Sequence, residues 1–212
     1  MERGFKTYAN NLVLQVRGEL RLSPTQPLDP WVLAEYLGIP TEPLSSFIED
    51  APLAARVFRT SAKSSFSAVT VHDGHRRHIT YNDYHAHSRQ TSSIAHELAH
   101  GLLMHEPAPA LDVRGLVVHR SEIEDQATFM GAALLVPEEA ALSIVARAVA
   151  FTEAASYYGV SLELLRWRIN STGASLRVAR SRQLRAQPRP FSRSLHGRQE
   201  ATPPRPRTRA AK

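Results

Sequence analysis

The chain is predicted to be an α+β protein, mainly helical, with a small antiparallel sheet lying beside one buried helix. Three features carry that expectation. Apolar residues recur at helical spacing over most of the chain; the stretch from Arg56 to Tyr81 changes to extended patterning around Asp73-Gly74; and the helix that follows is apolar on nearly every side yet contains His96-Glu97-Leu98-Ala99-His100.

Phe5, Tyr8, Ala9, Leu12, Val16 and Leu20 share one helical face and give a first amphipathic helix, ended by the loop with Pro24 and Pro27. Asp29 before Pro30 is an N-cap with a first-turn proline, and starts a second helix that stops near Gly38. Extended segments are expected at Arg56 to Thr60, Phe66 to His72 and Arg77 to Tyr81, the last two joined by Asp73-Gly74. The helix with the histidine pair is expected from about Arg89 to His105, limited by Pro107. Gly101 inside it costs about 1 kcal/mol against alanine, a sign of close packing there. From Glu122 to Pro137 the chain starts acidic and ends apolar, as in a helix entering the core with carboxylates at its favourable N-terminal end. Pro137 then breaks direction and Glu138 to Ala150 resumes as helix. Ala155, Gly159 and Leu165 match the spacing of a helix-turn-helix, with Ser161 capping its second helix.

Cysteine is absent, so disulfides and thiolate metal sites are excluded and any metal must be held by imidazole and carboxylate. No run reaches the roughly 18 apolar residues of a membrane span, and the N-terminus lacks the apolar stretch of a signal peptide; the expected location is the cytoplasm. The net charge of +6 belongs to the C-terminus. Between Arg180 and Lys212 ten Lys and Arg stand against Glu200 alone, which leaves residues 1–179 at −3. Rich in proline and poor in large apolar residues, that tail is expected to be disordered, with weak contact to nucleic acid or another acidic surface as its electrostatic use.

HExxH on a helix puts two imidazoles one turn, about 6 Å, apart on one face, where both rings can tilt onto a single ion. Zinc takes neutral imidazole at roughly 2.0–2.1 Å, and Glu97 beside the pair is then the general base that activates water. The plainer alternative, histidines bonded to backbone carbonyls in a buried helix, leaves costly polar groups to be satisfied one at a time. A third ligand is sought among Glu122, Glu124 and Asp125.

HExxH followed by Glu124-x-x-Ala127 and then Ala133-Leu134-Leu135-Val136-Pro137 resembles the ImmA/IrrE family of zinc metallopeptidases, over about residues 1–178. Asp29 to Pro40 is similar to the family's N-terminal helix and Phe66 to Asn82 to its hairpin. The resemblance implies a minimal zincin-like core at residues 51–137, after an N-terminal helical segment (1–50) and before a C-terminal helix-turn-helix-like unit (138–179) and the tail (180–212). It implies that Glu124 joins His96 and His100 around one Zn2+, with Glu97 catalytic. Glu124 also shares a helical face with Ala127, as Glu122 does not. The substrate it implies is a helix-turn-helix transcriptional repressor, cut to derepress mobile-element or stress-response genes. Many relatives carry Gly at Ala99 and a second acid at Gln126; neither departure removes a ligand or the base.

Two other readings compete. In one the chain is a DNA-associated regulator with a structural metal, using Arg166 and Arg168 as the only cations of a thin face that also bears Glu163; against it stands a helical hairpin packed on the enzyme through Leu164, Leu165 and Trp167. In the other it is a toxin-antitoxin or phage-type module that holds a partner without cutting it. His72, His75, His78, His85 and His87 fit no zinc spacing, while His105 and His119 are unranked candidates for a proton donor or oxyanion partner.

Overall fold

A computed structural model describes residues 2–49, 66–74, 76–106 and 121–186. The extended segment expected at Arg56 to Thr60, His75, His119 and the tail beyond residue 186 lie outside the described residues. Eight α-helices and three strands follow in order among those described: α1 (Phe5–Glu19), α2 (Pro30–Tyr36), β1 (Thr41–Pro43), β2 (Ala68–Asp73), β3 (Arg76–Tyr81), α3 (His87–Leu102), α4 (Ser121–Leu135), α5 (Glu138–Ala146), α6 (Phe151–Tyr157), α7 (Leu162–Ser171) and α8 (Ala174–Ala186).

Helix α2 starts as its sequence dictates: the Asp29 carboxylate accepts from the Trp31 N–H at 2.9 Å, with Pro30 in the first turn. Gly38, at φ 66°, ends it and turns the chain into β1. The sheet is mixed, with its longer pairing antiparallel as expected. Its order is β1-β3-β2; β2 and β3 form the expected antiparallel hairpin, with Ala68 opposite Tyr81, but β1 runs parallel to β3, with Thr41 opposite Ile79. A three-residue strand is too short for alternation to register, so the sequence hides β1.

One apolar core joins Val13 of α1, Leu33 of α2, Ile94 and Leu98 of α3, Phe129 and Leu134 of α4 and Leu165 of α7. The expected face of α1 meets the core through Phe5, Ala9, Leu12, Val16 and Leu20, but Tyr8 is exposed, and Val13 and Arg17 join the buried side. Buried Arg17 donates to the carbonyls of Leu134 (2.9 Å) and Ser23 (3.3 Å) and to that of Gln26, satisfying a carbonyl in the last turn of α4 and fastening the loop after α1. Helices α3 and α4 touch through their backbones at Gly131, where an added Cβ would lie 3.0 Å from Ala95 O, His96 Cα and His96 N.

The helix-turn-helix spacing is realised in α6 and α7, with Gly159 at φ 63° in the turn and the Ser161 hydroxyl accepting from the Leu164 N–H at 3.1 Å. Its second helix does not present both arginines outward. Arg166 is exposed, but Arg168 is fully buried: its Nε donates to Val136 O at 2.9 Å and its guanidinium lies 5.0 Å from the Phe129 ring centre. Arg168 is therefore removed from the expected nucleic-acid contacts, since it lies one residue before Ile169 and three after Leu165, on the face that the core covers. Arg180–Ala186, expected to be disordered tail, is helical as part of α8, where arginine, leucine and alanine favour helix and no proline intervenes. Arg177 of α8 pairs with Glu138 and Arg182 donates to Ala146 O at 2.8 Å, docking α8 on α5. Among the described residues no single helix is long and apolar enough to cross a membrane.

Candidate metal centre

Ile94, Ala95, Leu98 and Ala99 commit one side of α3 to the core, which leaves His96, Glu97 and His100 partly exposed on the opposite side. One helical turn brings the rings together: His96 Nε2 and His100 Nε2 are 3.1 Å apart. Helix α4, held against α3 at Gly131, brings the Glu124 carboxylate to the same point, with Oε2 3.2 Å from His96 Nε2 and Oε1 3.7 Å from His100 Nε2. Two ligand atoms on a tetrahedral zinc, each at roughly 2.0–2.1 Å, are about 3.3–3.4 Å from one another. The three observed separations bracket that value, so the residues present fit a single ion. Among the described residues His96, His100 and Glu124 are the one such group, which includes neither Glu122 nor Asp125.

Burial lowers the pKa of His100 most, and His96 lowers it further; Glu124 and Glu97 oppose them. The net effect favours neutral imidazole, the form that binds metal. Glu97 stays out of the cluster. Its Oε2 accepts from the Thr70 hydroxyl at 2.7 Å, so strand β2 holds the carboxylate in place.

Both ligand rings meet a group at Nδ1. Thr128 Oγ1 lies 3.5 Å from His96 Nδ1, and His105 Nδ1 lies 3.0 Å from His100 Nδ1. On its far side His105 Nε2 lies 3.1 Å from Gln126 Oε1. An open cleft of about 860 Å3 extends from His96, Glu97 and Glu124 past Ala68 to Leu164 and Trp167 of α7. Trp167, half-exposed and edge-on to Phe129, is thus a cleft wall as well as a packing residue. Of the other histidines, His85 is buried beside Asn82, His87 stacks on Trp31, and His72 and His78 lie on the hairpin; none joins a metal cluster among the described residues.

As site residues Thr70 and Gly131 escape a reading of the sequence, while Gln126 enters it as a departure from the family pattern and Trp167 as a packing residue. Of the two that escape, only Gly131 leaves a signal, a glycine amid the alanines and leucines of a buried helix, which marks a close backbone approach.

A histidine pair on one helix, an acid from a second and a carboxylate kept beside them define a candidate centre for metal-dependent hydrolysis. Residues 52–170 match the Peptidase_M78 family model, the IrrE N-terminal-like domain, and the chain belongs to this ImmA/IrrE family of metallopeptidases. No curated protein and no solved structure matches the chain.

Proposed function

We propose that the protein is a zinc-dependent endopeptidase acting in the cytoplasm on a helix-turn-helix transcriptional repressor, whose cleavage derepresses mobile-element or stress-response genes. The observation that carries the hydrolytic part is the convergence of His96, His100 and Glu124 while Thr70 keeps Glu97 outside the ligand set. The repressor as substrate rests on the family alone.

Zn2+ held by His96, His100 and Glu124 supplies Lewis acidity towards a peptide carbonyl and towards water. Glu97 takes the proton from the attacking water and passes it to the leaving amide nitrogen; the Thr70 hydroxyl holds one carboxylate oxygen so that the other serves as the base. No side chain becomes acylated. Among the described residues β2 is the outer strand of the sheet on the side of Glu97, so an extended substrate can add along it and present its backbone carbonyl to the cleft. Leu164, Trp167 and Ala132 offer an apolar wall to a substrate side chain.

Zinc-loaded protein incubated with helix-turn-helix repressors from the same genome should cut one of them at a defined bond, read by mass spectrometry. Glu97→Gln should keep the metal and slow cleavage by about 10²–10⁴-fold. A partner that binds stably and stays intact would instead support the holding module. With Arg168 in the core, a DNA-associated regulator is left Arg166 on α7; salt-dependent DNA binding without cleavage would favour it.

A further inference from the structure

We propose that His105 and Gln126 form a proton-ordered relay that fixes the ring of His100 for metal binding, which makes both positioning residues of the centre. The inference rests on the reading of His96, His100 and Glu124 as metal ligands. His100 directs Nε2 at His96 and Glu124, so a metal requires the lone pair on Nε2 and leaves the ring proton on Nδ1. That Nδ1–H faces His105 Nδ1 at 3.0 Å, where two nitrogens are compatible only if one donates and the other accepts. His105 Nδ1 is then the acceptor, its own proton is on Nε2, and Nε2–H donates to Gln126 Oε1 at 3.1 Å. The amide oxygen ends the chain, for it accepts and never donates. Each polarity follows from the one before, and the metal end fixes them all.

The backbone delivers His105 to this place. Met104 takes the left-handed conformation at φ 52°, and the His105 N–H returns to His100 O at 3.0 Å while the Met104 N–H reaches Gly101 O at 3.1 Å, the two bonds of a Schellman end to α3. The reversal sets the His105 ring 5.1 Å from that of His100, centre to centre. Gln126 comes from α4, two residues after Glu124, so the relay ties together the same two helices that the metal bridges. Among the described residues the group at His96 Nδ1 is the Thr128 hydroxyl at 3.5 Å, longer than the 3.0 Å contact at His100 Nδ1, so His100 is the more firmly held ligand. With its contact on the Nδ1 side of His100, across the ring from the ligand nitrogen, His105 acts through His100 rather than as a proton donor or oxyanion partner.

Zn2+ affinity of the full chain, measured by competition with a chromophoric chelator, tests the relay, with the visible spectrum of the Co2+ form as a second readout. His105→Ala should weaken binding about 10–100-fold and Gln126→Ala by about 10-fold, with altered Co2+ bands. His105→Asn, whose side-chain oxygen can accept from His100, should recover affinity to within about threefold of wild type. In zinc-loaded wild type, 15N NMR should find the proton of His105 on Nε2 and that of His100 on Nδ1, a test that requires no variant to fold. Unchanged affinity in His105→Ala, or His105 protonated on Nδ1, overturns the relay while leaving the metal centre standing. Wild type that takes up no stoichiometric metal overturns the metal centre and the relay with it.

Discussion

Two glycines inside helices make opposite predictions on replacement by alanine, which by helix propensity gains about 1 kcal/mol at either position. At Gly131 the new Cβ would lie 3.0 Å from three backbone atoms of α3, where ordinary contact begins near 3.4 Å, so the helices must part by about half an ångström. Overpacking of this kind costs about 1–3 kcal/mol, which leaves Gly131→Ala up to about 2 kcal/mol less stable after the propensity gain. For a chain of this size that is a fall in Tm of up to roughly 8 °C. The same parting moves Glu124 away from His96, and metal-ligand distances tolerate only about 0.2 Å, so Zn2+ affinity should fall too. At Gly101 the Cβ would meet, among the described residues, only the guanidinium of exposed Arg77, an end that swings aside, so Gly101→Ala should raise Tm by about 2–4 °C. Thermal unfolding of both metal-free variants, followed by zinc competition, measures the contrast. If Gly131→Ala melts as high as Gly101→Ala and binds zinc like wild type, the close crossing does not set the site.

The pKa of Arg168 is pulled down to about 10 by burial, against the favourable fields of Glu138 and Glu139, so the fold disfavours its charge at neutral pH and loses that cost only as pH rises past 10 towards the ordinary arginine range. Arg168→Met should therefore leave Tm unchanged or raise it by a few degrees, whereas Arg168→Ala, which empties the site, should destabilise by about 2–4 kcal/mol; equal losses in denaturant melts would contradict this. Thr70→Val removes the donor to Glu97 and should slow cleavage about tenfold with zinc affinity unchanged, and a parallel loss of zinc would show that Thr70 acts on the ligands instead. Trp167→Ala should change the preference for apolar substrate side chains in a peptide-cleavage assay more than it changes zinc affinity; an unaltered preference would remove α7 from the cleft.

Helical periodicity made the histidine pair and Glu97 legible, because HExxH places its donors by local geometry, whereas Glu124 was singled out by the resemblance to the ImmA/IrrE family. What stayed hidden depends on contacts between distant segments. Thr70 meets Glu97 only once β2 lies beside α3. Arg17 and Arg168 look like surface residues until the carbonyls they cap, Leu134 and Val136, are brought alongside. Helix α8 was obscured by composition, since a run of arginines suggests a solvated tail although its residues are good helix formers and α5 offers Glu138 as a partner. Strand β1 was hidden by its brevity.

Metal content per chain, measured on purified wild type, Glu97→Gln, His100→Ala and Glu124→Ala after equilibration with limiting zinc, bears most directly on the centre. Wild type and Glu97→Gln should each hold one ion, while His100→Ala and Glu124→Ala should lose it under the same conditions. Zinc retained by Glu124→Ala, or lost by Glu97→Gln, would contradict the division of labour between three ligands and one base.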